Sequence, residues 1–290
     1  MSHPSKPRRA LVWTGDPAFD RKREALAFFD HDVTASDSPR PVELADVSAS
    51  DDPALARAFA SQAEIVLVSP AVGSALAASG PLASPYIETY PLRAWGIVQK
   101  VKAYRAASIP GEMTSLRLFW EQPPSRAVKK PPFVDRLAEF LDLAEYLAGV
   151  PVVSVQMEAA AGGNAVFGLV TLEGNIVAEL NVNDRLPESL APVRFLHVYF
   201  SHGVVSNMPL YGYENDEGAL FADDRTARHE VYEHMDWPGT EEADNFYLGW
   251  LGMILGGERT GFGSGRFIRY RRAVEEAMRT GESVSLGEGS

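Results

Sequence analysis

Three carboxylates in one short stretch are the first residues that could do chemistry. Asp135, Glu139 and Asp142 stand at i, i+4 and i+7 in FVDRLAEFLDLAEYLAGV, Phe133 to Val150. At helical spacing they share a face. A carboxyl there can act as a general acid or base if burial raises its pKa. Left in water, the same face is only the polar side of an amphipathic helix. Upstream, Ile87-Glu88-Thr89-Tyr90-Pro91-Leu92-Arg93 ends in a guanidinium. Arg93 could clamp a carboxylate or phosphate on a ligand, or form a salt bridge to that helix. Tyr90 and Trp120 offer rings that could stack on a sugar or fill a core. Asn181, Asn183 and Arg185 add polar groups from a strand face and the loop after it.

Six histidines invite a metal reading. His229-Glu230-Val231-Tyr232-Glu233-His234 comes nearest, but a zinc helix needs histidines four apart. On a strand, residues five apart point to opposite faces. His197 and His202 are likewise split between the faces of their strand. No metal site is expected.

These residues need elements to position them. Leu137, Leu141, Ala144 and Ala148, with Phe140 and Leu147 beside them, make an apolar stripe at helical spacing opposite the carboxylates. Gly149 and Pro151 end the helix. Earlier, the chain reads as strand (Ala10 to Trp13), helix (Phe19 to Phe29), strand (Asp32 to Ala35), helix (Pro53 to Ala60) and strand (Ile65 to Val68). Such alternation signals a parallel sheet. Ala94 to Ala107 reads as a helix and Met113 to Trp120 as a strand.

A parallel sheet raises the question of a dinucleotide. The fingerprint needs closely spaced glycines, so that backbone N–H groups reach a pyrophosphate at a helix N-terminus. Here the first turn is Trp13-Thr14-Gly15-Asp16-Pro17, with one glycine. Pro17 lacks an N–H, and Asp16 brings a carboxylate to the phosphate position. Gly15 and, where a ribose-binding acid would stand, Asp37 are the weak cofactor candidates.

Beyond the central helix the period becomes two. Pro151 to Ala159 reads as a strand, and Ala165 to Leu172 with Ile176 to Asn183 as a hairpin. Arg194 to Val205, Gly218 to Ala222 and His229 to Met235 add strands. Phe246 to Leu255 and Arg266 to Arg279 read as helices. The expected fold class is α/β plus α+β. A shortened Rossmann-like parallel sheet is followed by a large, mainly antiparallel sheet covered by helices on one face.

Composition narrows the function. A chain of 290 residues that is 46% hydrophobic can bury a sizeable core. A net charge of −12 disfavours nucleic acid. No cysteine is present, which removes thiolate chemistry and cysteine-bound metals. No apolar run reaches membrane-span length and no signal peptide is evident, so a cytoplasmic protein without membrane contact is expected.

The stretch from Phe133 to Val150 resembles the helix that opens the second domain of the Gfo/Idh/MocA oxidoreductases. That family has Asp, then His four residues on, then Asp three further. Asp135 and Asp142 match, Glu139 replaces the histidine, and Pro131 and Pro132 stand where glycines are usual. Ile87 to Arg93 resembles the family strand that leads to the inter-domain helix, and Thr280-Gly281-Glu282-Ser283-Val284-Ser285-Leu286 its closing element. The family's Glu-Lys-Pro lysine has no counterpart, since no lysine occurs between Lys22 and Lys100.

The resemblance implies two domains, 1–92 and 93–290. It implies an inter-domain cleft in which Asp135 and Glu139 are catalytic. Arg93, Tyr90, Trp120, Asn181, Asn183 and Arg185 would bind substrate there. It also implies a homo-oligomer formed through the C-terminal sheet. With the glycine loop and lysine missing, the leading expectation is an oxidoreductase-like protein with a degraded dinucleotide site. It would bind a small sugar-like or carboxylated ligand and take no cofactor. The alternatives are a working NAD(P)-dependent sugar or polyol oxidoreductase with an unusual cofactor loop, and a non-catalytic subunit partnering a full-length relative.

Overall fold

A computed structural model describes residues 8–16, 18–28, 31–36, 41–79, 86–108, 110–123, 133–160, 164–187, 189–190, 193–207, 218–223, 228–233, 242–255 and 266–287. They form two compact units. One is drawn from Met1–Trp95 and Asp236–Ile268, the other from Gly96–Met235 and Arg269–Ser290.

The first unit is built on β1 (Arg8–Trp13), α1 (Phe19–Phe28), β2 (His31–Ser36), β3 (Val42–Asp46), α2 (Pro53–Ala60), β4 (Ala63–Val68), α3 (Pro70–Ala78) and β5 (Tyr86–Glu88). A 3-10 turn, Pro91–Ala94, follows. The strands are all parallel, in the order β2-β1-β3-β4-β5. Both faces are covered, as a parallel sheet requires. Leu11, Ala45, Val66 and Val68 point to one face and pack on Phe59 and Ala56 of α2 and Val72 and Leu76 of α3. Ala10, Val12, Leu44 and Leu67 point to the other and pack on Leu26 of α1. Trp250, Leu251 and Ile254 of α6 (Glu242–Leu255) complete that second layer. A helix placed by sequence in the second domain thus belongs to the first unit.

Two elements here were not expected from sequence. β3 is a central strand, yet its five residues include two acids. α3 begins at Pro70, just after the strand that ends the alternation read from sequence. Proline suits the first helical turn, and the Ser69 hydroxyl caps it by accepting from Val72 N–H at 3.3 Å.

The second unit begins with α4 (Gly96–Ala106), β6 (Met113–Glu121) and α5 (Phe133–Ala148). β7 (Val152–Ala159), β8 (Ala165–Leu172), β9 (Ile176–Asn183), β10 (Val193–Phe200), β11 (Gly203–Ser206), β12 (Gly218–Asp223) and β13 (Arg228–Glu233) follow. α7 (Arg266–Thr280) and β14 (Val284–Ser285) close the chain. The strands form one nine-stranded sheet in the order β13-β12-β11-β10-β6-β9-β8-β7-β14. Every pairing is antiparallel except β6 with β9. The segment read as one strand from Arg194 to Val205 is two, because Ser201 and His202 turn between β10 and β11.

α5 lies on the sheet through the stripe read from sequence. Leu137, Phe140, Leu141, Ala144, Leu147 and Ala148 are all at most 1% exposed. Each large side chain so buried contributes about 1.5–3 kcal/mol. Gly149 takes φ +66° and donates its N–H to the Glu145 carbonyl at 2.7 Å. Arg105 of α4 donates to the Leu147 carbonyl at 2.6 Å, satisfying another helix end group.

Candidate functional site

In an open parallel sheet, ligands bind outside the carboxyl ends of the strands, where the strand order reverses. Here that point lies between β1 and β3. β1 ends at Trp13 and runs into Thr14-Gly15-Asp16, and β3 ends in Asp46, with Ser48 two residues on. Gly15 is required by close packing: a Cβ there would stand 2.3 Å from the Trp13 ring. The Asp37 candidate lies outside the described residues.

Lys22 joins the two strand ends. It falls on the buried side of α1, between Phe19 and Leu26, and sends its ammonium to Asp16 at 2.7 Å. The same Nζ is 3.1 Å from Asp46 and donates to the Ser48 hydroxyl at 2.8 Å. Asp46 also accepts from Ser48 N–H at 2.9 Å, and Asp16 accepts from Ala18 N–H at 2.8 Å. Lys22, Asp16 and Asp46 are all buried, with Asp46 fully inside. Burial alone would pull the Lys22 pKa down, but the charges of Asp46 and then Asp16 outweigh it and hold it above the ordinary lysine value.

A pyrophosphate does not fit this turn as it stands. Among the described residues, one ammonium faces two carboxylates, and Asp16 stands where a phosphate would meet the lysine. An anion about 4 Å from a carboxylate meets roughly 4 kcal/mol of repulsion at an effective dielectric constant of 20. Asp16 also takes the Ala18 N–H just before α1.

At the far end of the same sheet, Glu88 is fully buried beside α3. A Cβ on Gly73 would stand 2.3 Å from its Cγ. Tyr90 donates its hydroxyl proton to Glu88 at 2.7 Å, and the Arg93 guanidinium lies 4.7 Å from the Tyr90 ring centre. Tyr90 and Arg93 are thus brought together, both buried within the first unit. Burial, then the Glu88 charge, raises the Tyr86 hydroxyl pKa.

The second unit gathers Trp120, Arg136, Glu139 and Arg194. Trp120 and Arg194 are direct partners across β6 and β10, so both face α5. Arg136 and Arg194 place their guanidiniums 4.3 and 4.2 Å from the Trp120 ring centre. Arg136 bonds Glu139 at 2.6 Å. Burial raises the Glu139 pKa, Arg136 counteracts this, and the Asp135 and Asp142 charges reinforce it. The acidic face of α5 is therefore no solvated face. Asp142 is 3% exposed, Asp135 pairs with Arg271 of α7 at 3.1 Å, and Tyr270 of α7 donates to Glu145. Asn181 and Asn183 sit on the opposite sheet face from Trp120, and Arg185 is exposed after β9, its N–H donating to Asn183 at 2.9 Å.

Sequence reasoning passed over Lys22, Asp46, Glu88, Arg136 and Arg194. Lys22 had a readable signal, a charge at the i+3 position of the apolar series from Phe19 to Leu26. Asp46 had none while β3 went unrecognised. Arg194 becomes a neighbour of Trp120 only through strand register.

Among the described residues, no group of three or more His, Asp or Glu is placed to hold a metal ion. The side chain of His229 and the whole of His234 lie outside the described residues. None of the described helices is long and apolar enough to cross a membrane.

No protein-family profile matches the chain, and no curated protein sequence matches it. Solved structures do. An oxidoreductase from Agrobacterium radiobacter in complex with NAD+, L-tartaric acid and magnesium aligns with TM-score 0.70 and 12% identity, covering 97% of this chain and 99% of that one. An apo levoglucosan dehydrogenase aligns with TM-score 0.69 and 12% identity over 98% and 99% of the two chains. Levoglucosan dehydrogenase with NADH and L-sorbose aligns with TM-score 0.67 and 13% identity over 96% and 90%. The chain has the fold of these structures.

The expectation of no cofactor needs correction. This fold carries NAD+ or NADH in several of the matching structures, which points to a nucleotide cofactor rather than none. The physical reason the sequence misled is that a missing glycine motif describes one way of holding phosphates, not the strand order that creates the place for them.

His197 sets a pH dependence. It is 4% exposed, and its Nε2 has no hydrogen-bond partner among the described residues. Burial, then Arg117, lowers its pKa to about 4. An unfolded histidine protonates near about 6.5. The unfolded state therefore binds more protons between these values, so stability falls as pH drops through that window, by up to about 3 kcal/mol. Urea unfolding at several pH values should show this loss, and His197→Phe should remove most of it. An unchanged acid dependence in His197→Phe would contradict the assignment.

Proposed function

We infer that the chain is a nucleotide-dependent oxidoreductase of the Gfo/Idh/MocA type, acting on a small polyol or sugar-like substrate with an atypical cofactor turn. The observation that carries this reading is the match of both units, over nearly the whole chain, to dehydrogenases holding NAD+ or NADH. The small hydroxylated compounds named with those structures, L-tartaric acid and L-sorbose, suggest the substrate class.

Glu139 is the proton-handling group in this reading. Burial raises its pKa, the direction that lets a carboxyl hold and return a proton. Arg136 holds its orientation. Asp135, tied to Arg271, fixes the start of α5. The five-stranded sheet, the single turn glycine and the absent lysine make the chain an unusual member of its type.

Titration with NADH and NADPH, followed by nicotinamide fluorescence, tests the reading. Saturable binding below about 1 mM is expected, with NAD(P)+ reduction when polyols and sugar acids are screened. No saturation with either nucleotide overturns it.

The partner proposed for the open sheet face is a second copy of the chain. Support comes from Phe167, Leu169, Val177 and Tyr199, which leave 38–44% of their surfaces exposed on that face around the Arg117–Glu179 ion pair. Light scattering should give a multiple of the 31.6 kDa chain mass for the parent and a smaller species for Leu169→Glu. A monomeric parent refutes this.

A further inference from the structure

The first unit sets its topology against its own side chains. The strand order reverses between β1 and β3, where parallel sheets place their ligand crevice. In that crevice, a nucleotide's phosphates would use the helix N-terminus and any nearby cation. The chain supplies a backbone donor just before α1, the Ala18 N–H, and a cation, the Lys22 ammonium, and gives both to Asp16.

We propose that Asp16 is an internal stand-in for a phosphate, and that a nucleotide diphosphate enters this crevice only by displacing its carboxylate from Lys22. The proposal rests on the nucleotide-dependent reading above. Three features support it. Asp16 engages the same two kinds of donor that a phosphate would, at 2.8 and 2.7 Å. Lys22 does not depend on Asp16 alone, because Asp46 at 3.1 Å and Ser48 at 2.8 Å hold the ammonium in place when Asp16 leaves. Asp16 also follows the exposed turn residues Thr14 and Gly15, although its own side chain is as enclosed as that of Asp46, 2% exposed against 0%.

This assigns an affinity-setting role that runs opposite to an ordinary binding residue. Removing a binding residue weakens a ligand, and removing Asp16 should strengthen one. With the full chain, calorimetric titration of NADH and ADP-ribose is compared for the parent, Asp16→Asn and Asp16→Ser. Both variants keep an oxygen able to accept from the Ala18 N–H, and circular dichroism melting confirms that each is folded. At least about tenfold tighter binding is expected in the variants, since a like charge is removed from the phosphate position. Structural damage alone would lower affinity. Equal or weaker binding in folded variants overturns the displacement while leaving the nucleotide reading intact. No binding by any of the three proteins overturns both.

Discussion

One buried ammonium ties the first unit together where its topology would otherwise leave a crevice. Lys22 reaches from α1 to the ends of β1 and β3, strands that are neighbours in the sheet but not in sequence. An ion cluster so enclosed is costly to desolvate and costly to break, about 3–5 kcal/mol when one partner is removed. The entry to α1, the turn after β3 and the charge at the switch point all follow from where those two carboxylates stand. Fold and chemistry meet there: the strand order reverses at that point, and the side chains fill it with carboxylates.

The second unit shows the same economy of charge. The acidic face of α5 survives within the fold because each group has a local answer: Arg271 for Asp135 and Arg136 for Glu139. Glu145 likewise meets Tyr270. Arg136 then shares the Trp120 ring with Arg194, so the helix carboxylates and the sheet aromatic form one connected set. Such a set fixes the rotamers of its members.

Much of the fold was legible because burial imposes period. The α5 stripe, the hairpin of β8 and β9 and the α2 boundaries follow from apolar spacing and turn residues. β3 was not legible, because Val42-Glu43-Leu44-Ala45-Asp46 hides a central strand behind two acids, one of which is the buried anchor for Lys22. α6 was read as a helix but placed in the wrong unit, since nothing local says which sheet Trp250 will meet. The candidate site was legible only in part. Glu139 and Trp120 are joined through Arg136, whereas Asn181 and Asn183 face away because register puts them opposite Phe119 and Glu121 on the other side of the sheet. The turn at Gly15 was recognised as adverse to phosphate, but its meaning needed the lysine that answers Asp16.

The most direct measurement is a crystal structure of the protein soaked with NADH or ADP-ribose. Two positions decide the outcome: the Asp16 carboxylate and the nucleotide's diphosphate. The account predicts Asp16 swung away from Lys22, with a phosphate oxygen on the Lys22 ammonium and Asp46 still holding it. A nucleotide seated in the first unit with the Asp16–Lys22 contact intact at 2.7 Å would contradict it.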